Sequence, residues 1–497
     1  MINCKDRNWV GQKAAQMGFS EVLMNFAFYA VTQLRTACLY GLPSERPDAR
    51  DFSATRFDPA IQSSPYLSSL ISKSTSNNFL KIFNGVPLYI RGSRGKAAFH
   101  SIPVGAALLD EVDKMSEKAV REAIERLSGQ VDWWLRQAST PSVPGYGISK
   151  TFHESTQDFF SFQCPGCSRW TELIFPECIV IPTDDPKDPR INDTYVKCKD
   201  CGVKIEHASK PTVFKHGKWV NRYSGRNVRG FKISQLYSCT LHPARLAESY
   251  LHSLTNPADE QVLYNSKLGE DHVVAGAAVT EDHIVKAIRP YNNRSKATSP
   301  VVVMGIDVGK HLHFKIMEYR FTPRAVDPNS DSEAKLLYFD KILTTEPGFP
   351  ELYQFVKEYN PVCICIDAAP ERVSSEKFAR SLWGRAFTVN YNDNTDGRTI
   401  VNTDHYKLTV NRTYWIDQYL GRYMNGTIQL PVQVNEELKV HLKSMKKMYE
   451  KDRFGETIGR YVKTEGRTDY AHCGVYCEIA LRRAFESGNT SNLRVSV

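Results

Sequence analysis

Two short cysteine pairs constrain this chain more than any other feature. Cys164-Pro165-Gly166-Cys167 is followed, after thirty intervening residues, by Cys198-Lys199-Asp200-Cys201-Gly202. Two such knuckles offer four thiolates at tetrahedral zinc spacing, with glycine permitting the tight turns that aim both sulfurs inward. The turn-rich stretch from Pro182 to Asp193 takes up the long gap. Four thiolates leave no open coordination position, so the expected ion is a structural Zn2+ in a ribbon over residues 156–210. Cys178, Cys239 and His207 are not needed for it and read as bystanders. Twelve cysteines in 497 residues are too sparse for a disulfide framework; Cys363/Cys365 and Cys473/Cys477 lie in apolar runs, as small core residues do. The opening Met1-Ile2-Asn3-Cys4-Lys5-Asp6-Arg7 has no signal-peptide character, and no apolar run reaches the roughly 18 residues of a membrane span. A membrane protein, a secreted disulfide scaffold and a disordered chain are therefore poor readings. The net charge of +9 permits a polyanion partner without requiring one.

Composition shifts divide the rest. Residues 1–155 alternate helical and strand-like patterns, 156–210 hold the cysteines, 211–299 are mixed and polar with a linker from Pro290 to Pro300, and 300–497 open on a new apolar strand. Alternation of this kind favours an α/β fold with a parallel sheet and crossover helices. Residues 20–35 read as a helix with Ser20 as its N-cap.

Three motifs in the first stretch suggest a nucleotide site. Lys13-Ala14-Ala15-Gln16-Met17-Gly18-Phe19-Ser20 opens directly into that helix. A phosphate loop needs flexible backbone, a lysine and a magnesium-binding hydroxyl at a helix N-terminus. Gly18 and Ser20 occupy the ends of the usual Gly-Lys-Ser/Thr triplet, with Phe19 in the lysine's place and Lys13 able to reach the phosphates from the other side of the loop. Gly105-Ala106-Ala107-Leu108-Leu109 then ends in Asp110-Glu111, where one acid can hold Mg2+ and the next can orient the attacking water. Ser139-Thr140-Pro141 follows a strand and can sense the γ-phosphate. Taken singly, each also fits a surface lysine, a charged turn and a plain turn.

The last 200 or so residues place Asp307 after Val301–Ile306, Asp367 after Val362–Ile366, and Asp469 at the start of a helix. A carboxylate at the tip of each of two buried strands, plus one from a helix, is the arrangement of an RNase H-like fold, where paired divalent ions cleave phosphodiesters. Each acid could equally cap a turn or a helix. Asp404, His405 and Asp417 are secondary candidates for the metal shell. The runs from Lys439 to Lys451, read as a basic helical face, and Arg222/Arg226/Arg229 are candidate DNA-backbone contacts or simply solvated charge.

In this order the motifs resemble phage terminase large subunits of the lambda-like gpA kind, whose phosphate-loop lysine is displaced toward the start of the loop, as Lys13 is here. The resemblance runs over nearly the whole chain, including Gly305-Ile306-Asp307, Ile366-Asp367, Val410-Asn411-Arg412-Thr413, Leu430-Pro431 and Asp469-Tyr470-Ala471. It implies a P-loop ATPase domain of the ASCE type, an inserted zinc ribbon and a C-terminal RNase H-like nuclease domain. It implies Lys13, Gly18 and Ser20 for phosphate and magnesium, Asp110 for magnesium, Glu111 for catalysis and Ser139-Thr140 for coupling. Asp307, Asp367 and Asp469 would hold Mg2+ or Mn2+; Arg56, Arg91 and Arg94 are candidates for the γ-phosphate charge. The expected function is ATP-driven packaging of double-stranded DNA and endonucleolytic cutting of concatemers. The implied partners are a small terminase subunit, a portal and procapsid, and further copies of the chain, in the host bacterial cytoplasm rather than the mature virion. Relatives carry a longer segment ahead of the loop than the twelve residues before Lys13. The alternative expectation is therefore a zinc-stabilised, metal-dependent DNA nuclease from a prophage remnant, with an inactive or truncated ATPase half.

Overall fold

The computed structural model describes residues 5–487 apart from 73, 95–98, 100–101, 323–324, 344–345, 394, 452–455 and 465. It divides into two compact units, one of residues 1–274 with 449–458, the other of 275–448 with 459–497. Among the described residues no helix is long and apolar enough to cross a membrane.

The first unit is built on strands β1 (Asn8–Lys13), β2 (Cys38–Leu42), β3 (Leu80–Phe83), β4 (Val86–Gly92), β5 (Ala106–Asp110), β6 (Trp134–Ser139), β7 (Asp158–Gln163), β8 (Trp170–Thr171), β9 (Ile179–Val180), β10 (Tyr195–Lys197), β11 (Lys204–Ile205), β12 (Lys218–Val220) and β13 (Arg229–Ile233). Its large sheet runs β12-β7-β13-β1-β6-β5-β2-β4-β3, with β8 on β7. The six strands from β13 to β4 are parallel. The central strands are apolar throughout because both their faces are covered. Cys38, Tyr40, Leu42, Ala106 and Leu108 pack with the helix Phe19–Thr32, whereas Leu39, Ala107 and Leu109 pack with Ala119 and Ala123 of the helix Glu117–Glu125. Residues from the cysteine-bearing and polar stretches, in β7, β12 and β13, extend this same sheet. The strands β11-β10-β9 form a small sheet of their own.

One local reading changes. Gly18, not Ser20, caps the first helix, because the chain turns there through a left-handed conformation (φ 77°) that glycine adopts without cost. Ser20 lies in the first turn, which leaves its hydroxyl for another partner.

The second unit contains β14 (Val302–Asp307), β15 (His311–Phe321), β16 (Ser332–Leu343), β17 (Cys363–Asp367), β18 (Ala386–Tyr391), β19 (Ile400–Asp404), β20 (Lys407–Val410) and β21 (Ile428–Gln429), ordered β19-β20-β18-β17-β14-β15-β16-β21. β14, β15 and β16 form an antiparallel meander, and β14, β17, β18 and β20 run parallel. The core order β16-β15-β14-β17-β18 is the RNase H-like arrangement. Val303, Cys363 and Cys365 face the helices Arg412–Met424 and Asp469–Glu486, while Val302, Met304, Ile364 and Ile366 face Phe355 and Phe378 on the other side. The stretch from Pro290 to Pro300 is not a loose tether. The Tyr291 hydroxyl shares its one proton between Leu336 O and Gln429 O, at 3.0 and 2.9 Å, and Arg294 pairs with Glu358.

Gly305 sets the depth of the last helix. A Cβ there would lie 2.0 Å from Cys473 O and 2.8 Å from Cys477 N, both helix backbone. Gly305→Ala is expected to push the Asp469–Glu486 helix off β14 and destabilise this unit by about 3 kcal/mol. Urea unfolding followed by tryptophan fluorescence measures it; a loss below the scatter of the fit would refute this account of the contact.

Candidate active sites and thiolate cluster

Strand order brings the three nucleotide motifs together. β6 lies between β1 and β5, so Lys13, Asp110 and Ser139 end three neighbouring parallel strands at one edge of the sheet, where open α/β sheets bind ligands. Backbone bonds from Ala14 N–H to Ile233 O (2.9 Å) and from Ala15 N–H to Ser266 O (2.8 Å) pin the start of the loop. Lys13, 5% exposed, places Nζ 2.9 Å from Glu111 Oε1. Glu111 has φ 60°, a left-handed conformation unusual for a non-glycine residue and common at functional sites. Burial raises the Glu111 carboxyl, but Lys13 and Lys114 outweigh it and hold the group below its ordinary range. Asp110 Oδ2 accepts the Tyr40 hydroxyl at 2.9 Å, the Ser20 hydroxyl faces the same carboxylate, and the buried Oδ1 has no hydrogen-bond partner. Burial, then the charge of Glu111, pushes Asp110 up. A buried carboxylate oxygen without a partner, beside a serine hydroxyl, suits a bound magnesium.

The Ser139 hydroxyl accepts Asp113 N–H at 3.2 Å and donates to Thr140 O at 2.9 Å. Asp113 Oδ1 accepts Ile148 N–H at 2.8 Å in the helix Gly147–Glu154. Asp113, which sequence reasoning passed over, thus joins the end of β6 to a helix; burial lifts its carboxyl to about 7. Of the arginines, Arg56 pairs with Glu21 at 2.8 Å, Arg91 lies on β4, and Arg94 is exposed.

Cys164, Cys167, Cys198 and Cys201 each bring a sulfur within 4.8 Å of the others. The Cys164 and Cys201 sulfurs are 3.7 Å apart. A tetrahedron with Zn–S bonds of about 2.3 Å has edges of about 3.8 Å, so the four thiolates fit zinc. Cys178 is in the hydrophobic core, Cys239 is exposed, and His207 packs against His242; none joins the cluster.

In the second unit Ile306 pairs with Ile366, so Asp307 and Asp367 end adjacent parallel strands on the face that carries the Asp469–Glu486 helix. Burial raises the Asp307 carboxyl well above its ordinary value, and the charges of Asp367 and Asp469 raise it further. Burial lifts Asp367 to about 6, although Ala369 N–H donates to its Oδ1 at 3.1 Å. Buried acids raised in this way are relieved by divalent cations, which fits this pair. Asp469, however, does not close one ligand set with them: among the described residues it groups with His313 and His441. His313 is opposite Asp307 across β14 and β15. The His311-x-His313 alternation was the available signal for it; nothing local marked His441.

Other candidates have different work. β19, which ends in Asp404, is three strands from β17, about 14 Å at the usual spacing, and His405 is exposed in the turn beyond. Asp417 accepts the Tyr461 hydroxyl and pairs with Lys447. The run Lys439–Lys451 is not one helical face. The helix Glu436–Lys443 stops and Met445–Lys451 is a strand, paired with Thr457–Lys463. Lys439 and Lys443 meet Glu281, and Lys451 meets Asp259. Arg222 pairs with Glu172 and Arg229 with Asp158, while Arg226 donates to backbone oxygens of His153 and Ser155.

Comparison with known proteins bears on the family and the fold. Residues 6–219 match the family model described as phage terminase large subunit gpA, ATPase domain. No curated protein matches the sequence. Among solved structures, the large terminase of bacteriophage HK97 superposes with a TM-score of 0.53 at 11% identity, covering 95% of this chain and 91% of that one. The large terminase of the thermophilic bacteriophage D6E gives 0.33 at 10% identity over 96% and 94%. The large-terminase nuclease of thermophilic phage G20c gives 0.25 at 12% identity, over 39% of this chain and 94% of that one. The HK97 likeness speaks to the fold.

Proposed function

We propose that this chain, whose residues 6–219 belong to the gpA-type family of phage terminase large-subunit ATPase domains, is the large subunit of a DNA-packaging terminase. In this reading it hydrolyses ATP to drive double-stranded DNA into a procapsid and cuts concatemeric DNA with a metal-dependent nuclease. One observation carries the reading: each unit of the chain gathers a different set of candidate residues at the ends of adjacent parallel strands.

In the ATPase, Lys13 would leave Glu111 for the phosphates, and the released Glu111 would orient water toward the γ-phosphate. Ser20 and Asp110 would hold magnesium, with Gly18 letting the loop backbone turn around the phosphates. Ser139 and Thr140 would feel the γ-phosphate, and Asp113 would carry that signal to the helix Gly147–Glu154. In the nuclease, Asp307 and Asp367 would hold magnesium or manganese, which would supply an activated water and stabilise the leaving oxygen, while Asp469, the third acid of the sequence pattern, stands near enough to add its charge. The partners of this reading are a small terminase subunit, the portal and further copies of the chain, in the host cytoplasm. The test is DNA-stimulated ATP turnover together with Mg2+- or Mn2+-dependent cleavage by the purified chain. Absence of both would defeat the reading.

The thiolates would hold a structural zinc. Cys198→Ser is expected to lose the metal and loosen the small sheet β11-β10-β9 beside it, leaving β14–β21 folded. Elemental analysis and hydrogen exchange would read this out; full zinc retention would refute the assignment.

A further inference from the structure

His313, His441 and Asp469 come from three separate elements, and one ligand atom of each lies within 4.8 Å of the others. The His313 side chain is 1% exposed, yet neither ring nitrogen makes a hydrogen bond. Nδ1 stands 3.5 Å from Asp469 Oδ2 and Nε2 stands 3.5 Å from Glu437 Oε1, both outside hydrogen-bond geometry. Asp469 Oδ2 is likewise buried without a hydrogen bond; its charge is met by Arg467, with Nε at 2.8 Å. His441 is 3% exposed, and its Nδ1 lone pair accepts Tyr470 N–H at a long 3.2 Å, a bond that an ion ligated there would displace. Two bare nitrogens on one buried ring cost free energy that folded proteins seldom leave uncompensated, and a bound ion is one of the few remedies.

We propose that His313, His441 and Asp469, with Glu437 beside them, bind a divalent transition-metal ion at a position of its own next to the Asp307–Asp367 pair. Two imidazoles and a carboxylate select ions of the zinc, manganese or cobalt kind, whereas magnesium prefers oxygen alone. Arg467, half exposed, is the cation that holds the carboxylate until the ion arrives and can turn outward when it does. The ion would tie β15, the helix Glu436–Lys443 and the start of the helix Asp469–Glu486 together, fixing the third acid. The inference does not depend on whether the neighbouring acids cleave DNA.

The test uses the full chain with its cysteine site loaded with zinc, titrated with Mn2+ and read by pulsed electron paramagnetic resonance. An all-oxygen acid site gives no nitrogen coupling, and thiolates give none either. The expected result is bound Mn2+ with 14N modulation that disappears in His441→Gln and His313→Gln and persists in Asp307→Ala. Arg467→Ala should tighten Mn2+ severalfold, a gain that misfolding cannot produce. Bound Mn2+ without 14N modulation in the unaltered chain, or no bound Mn2+, overturns the proposal. So does modulation that survives both histidine substitutions. Loss of cleavage in Asp307→Ala with the nitrogen-coupled ion retained separates this site from the nuclease reading.

Discussion

Asp307→Ala is expected to abolish metal-dependent DNA cleavage, by a factor on the order of 10³ or more, while making the metal-free protein more resistant to heat. The two effects share one cause. Asp307 ends β14 beside Asp367, under the N-terminus of the Asp469–Glu486 helix. Burial and then the charges of Asp367 and Asp469 raise its carboxyl, and Arg467 and Lys463 offset this only in part. Without a cation, folding therefore forces like charges together, and deleting one of them relieves the strain. With a cation, the same crowding is what binds it. A purely structural aspartate would behave in the opposite way: its loss would destabilise the fold and leave chemistry, if any, intact. Plasmid cleavage in Mn2+ and calorimetry in chelator measure the two halves. Cleavage that survives the substitution would remove Asp307 from the nuclease; a lower metal-free melting temperature would show that its neighbours do not repel it.

What the residues foretold and what they did not follows from how local each feature is. The cysteine cluster is written in two four-residue knuckles, so spacing alone implied it. β5, β14 and β17 are uninterrupted apolar runs ending in acids, the pattern of central parallel strands covered on both faces. That β14 and β17 lie side by side was implied only by the RNase H-like reading of the acids that end them. The pairing of Lys13 with Glu111 across 98 residues was not foreseen; the resemblance implied only that both serve one nucleotide site. The histidines beside Asp469 were not foreseen, because they depend on the register that sets His313 opposite Asp307 and on a helix that begins more than a hundred residues later. The basic run misled for a physical reason. Lysines at helical spacing look solvated until their partners are known, and here Glu281 and Asp259 take three of those charges.

The Lys13–Glu111 pair makes the second large prediction. The pair is nearly sealed from solvent on the lysine side, at 2.9 Å, and Lys13 helps to hold Glu111 in its charged form. Lys13→Ala is expected to weaken Mg-ATP binding about 10- to 100-fold, the worth of one charge-assisted bond to phosphate, and to abolish turnover. Glu111→Gln should differ in kind. It keeps a hydrogen-bond partner for Lys13 but removes the anion that competes with the phosphates, so ATP binds as well as before or more tightly. Turnover then falls by about 10² to 10⁴, because no carboxylate is left to orient water. Nucleotide titration by calorimetry and DNA-stimulated phosphate release separate the two variants. If Glu111→Gln loses affinity in step with Lys13→Ala, the pair is a structural bridge whose breakage collapses the loop. If affinity holds while hydrolysis stops, the salt bridge is a latch that the phosphates open, and its opening is what arms Glu111.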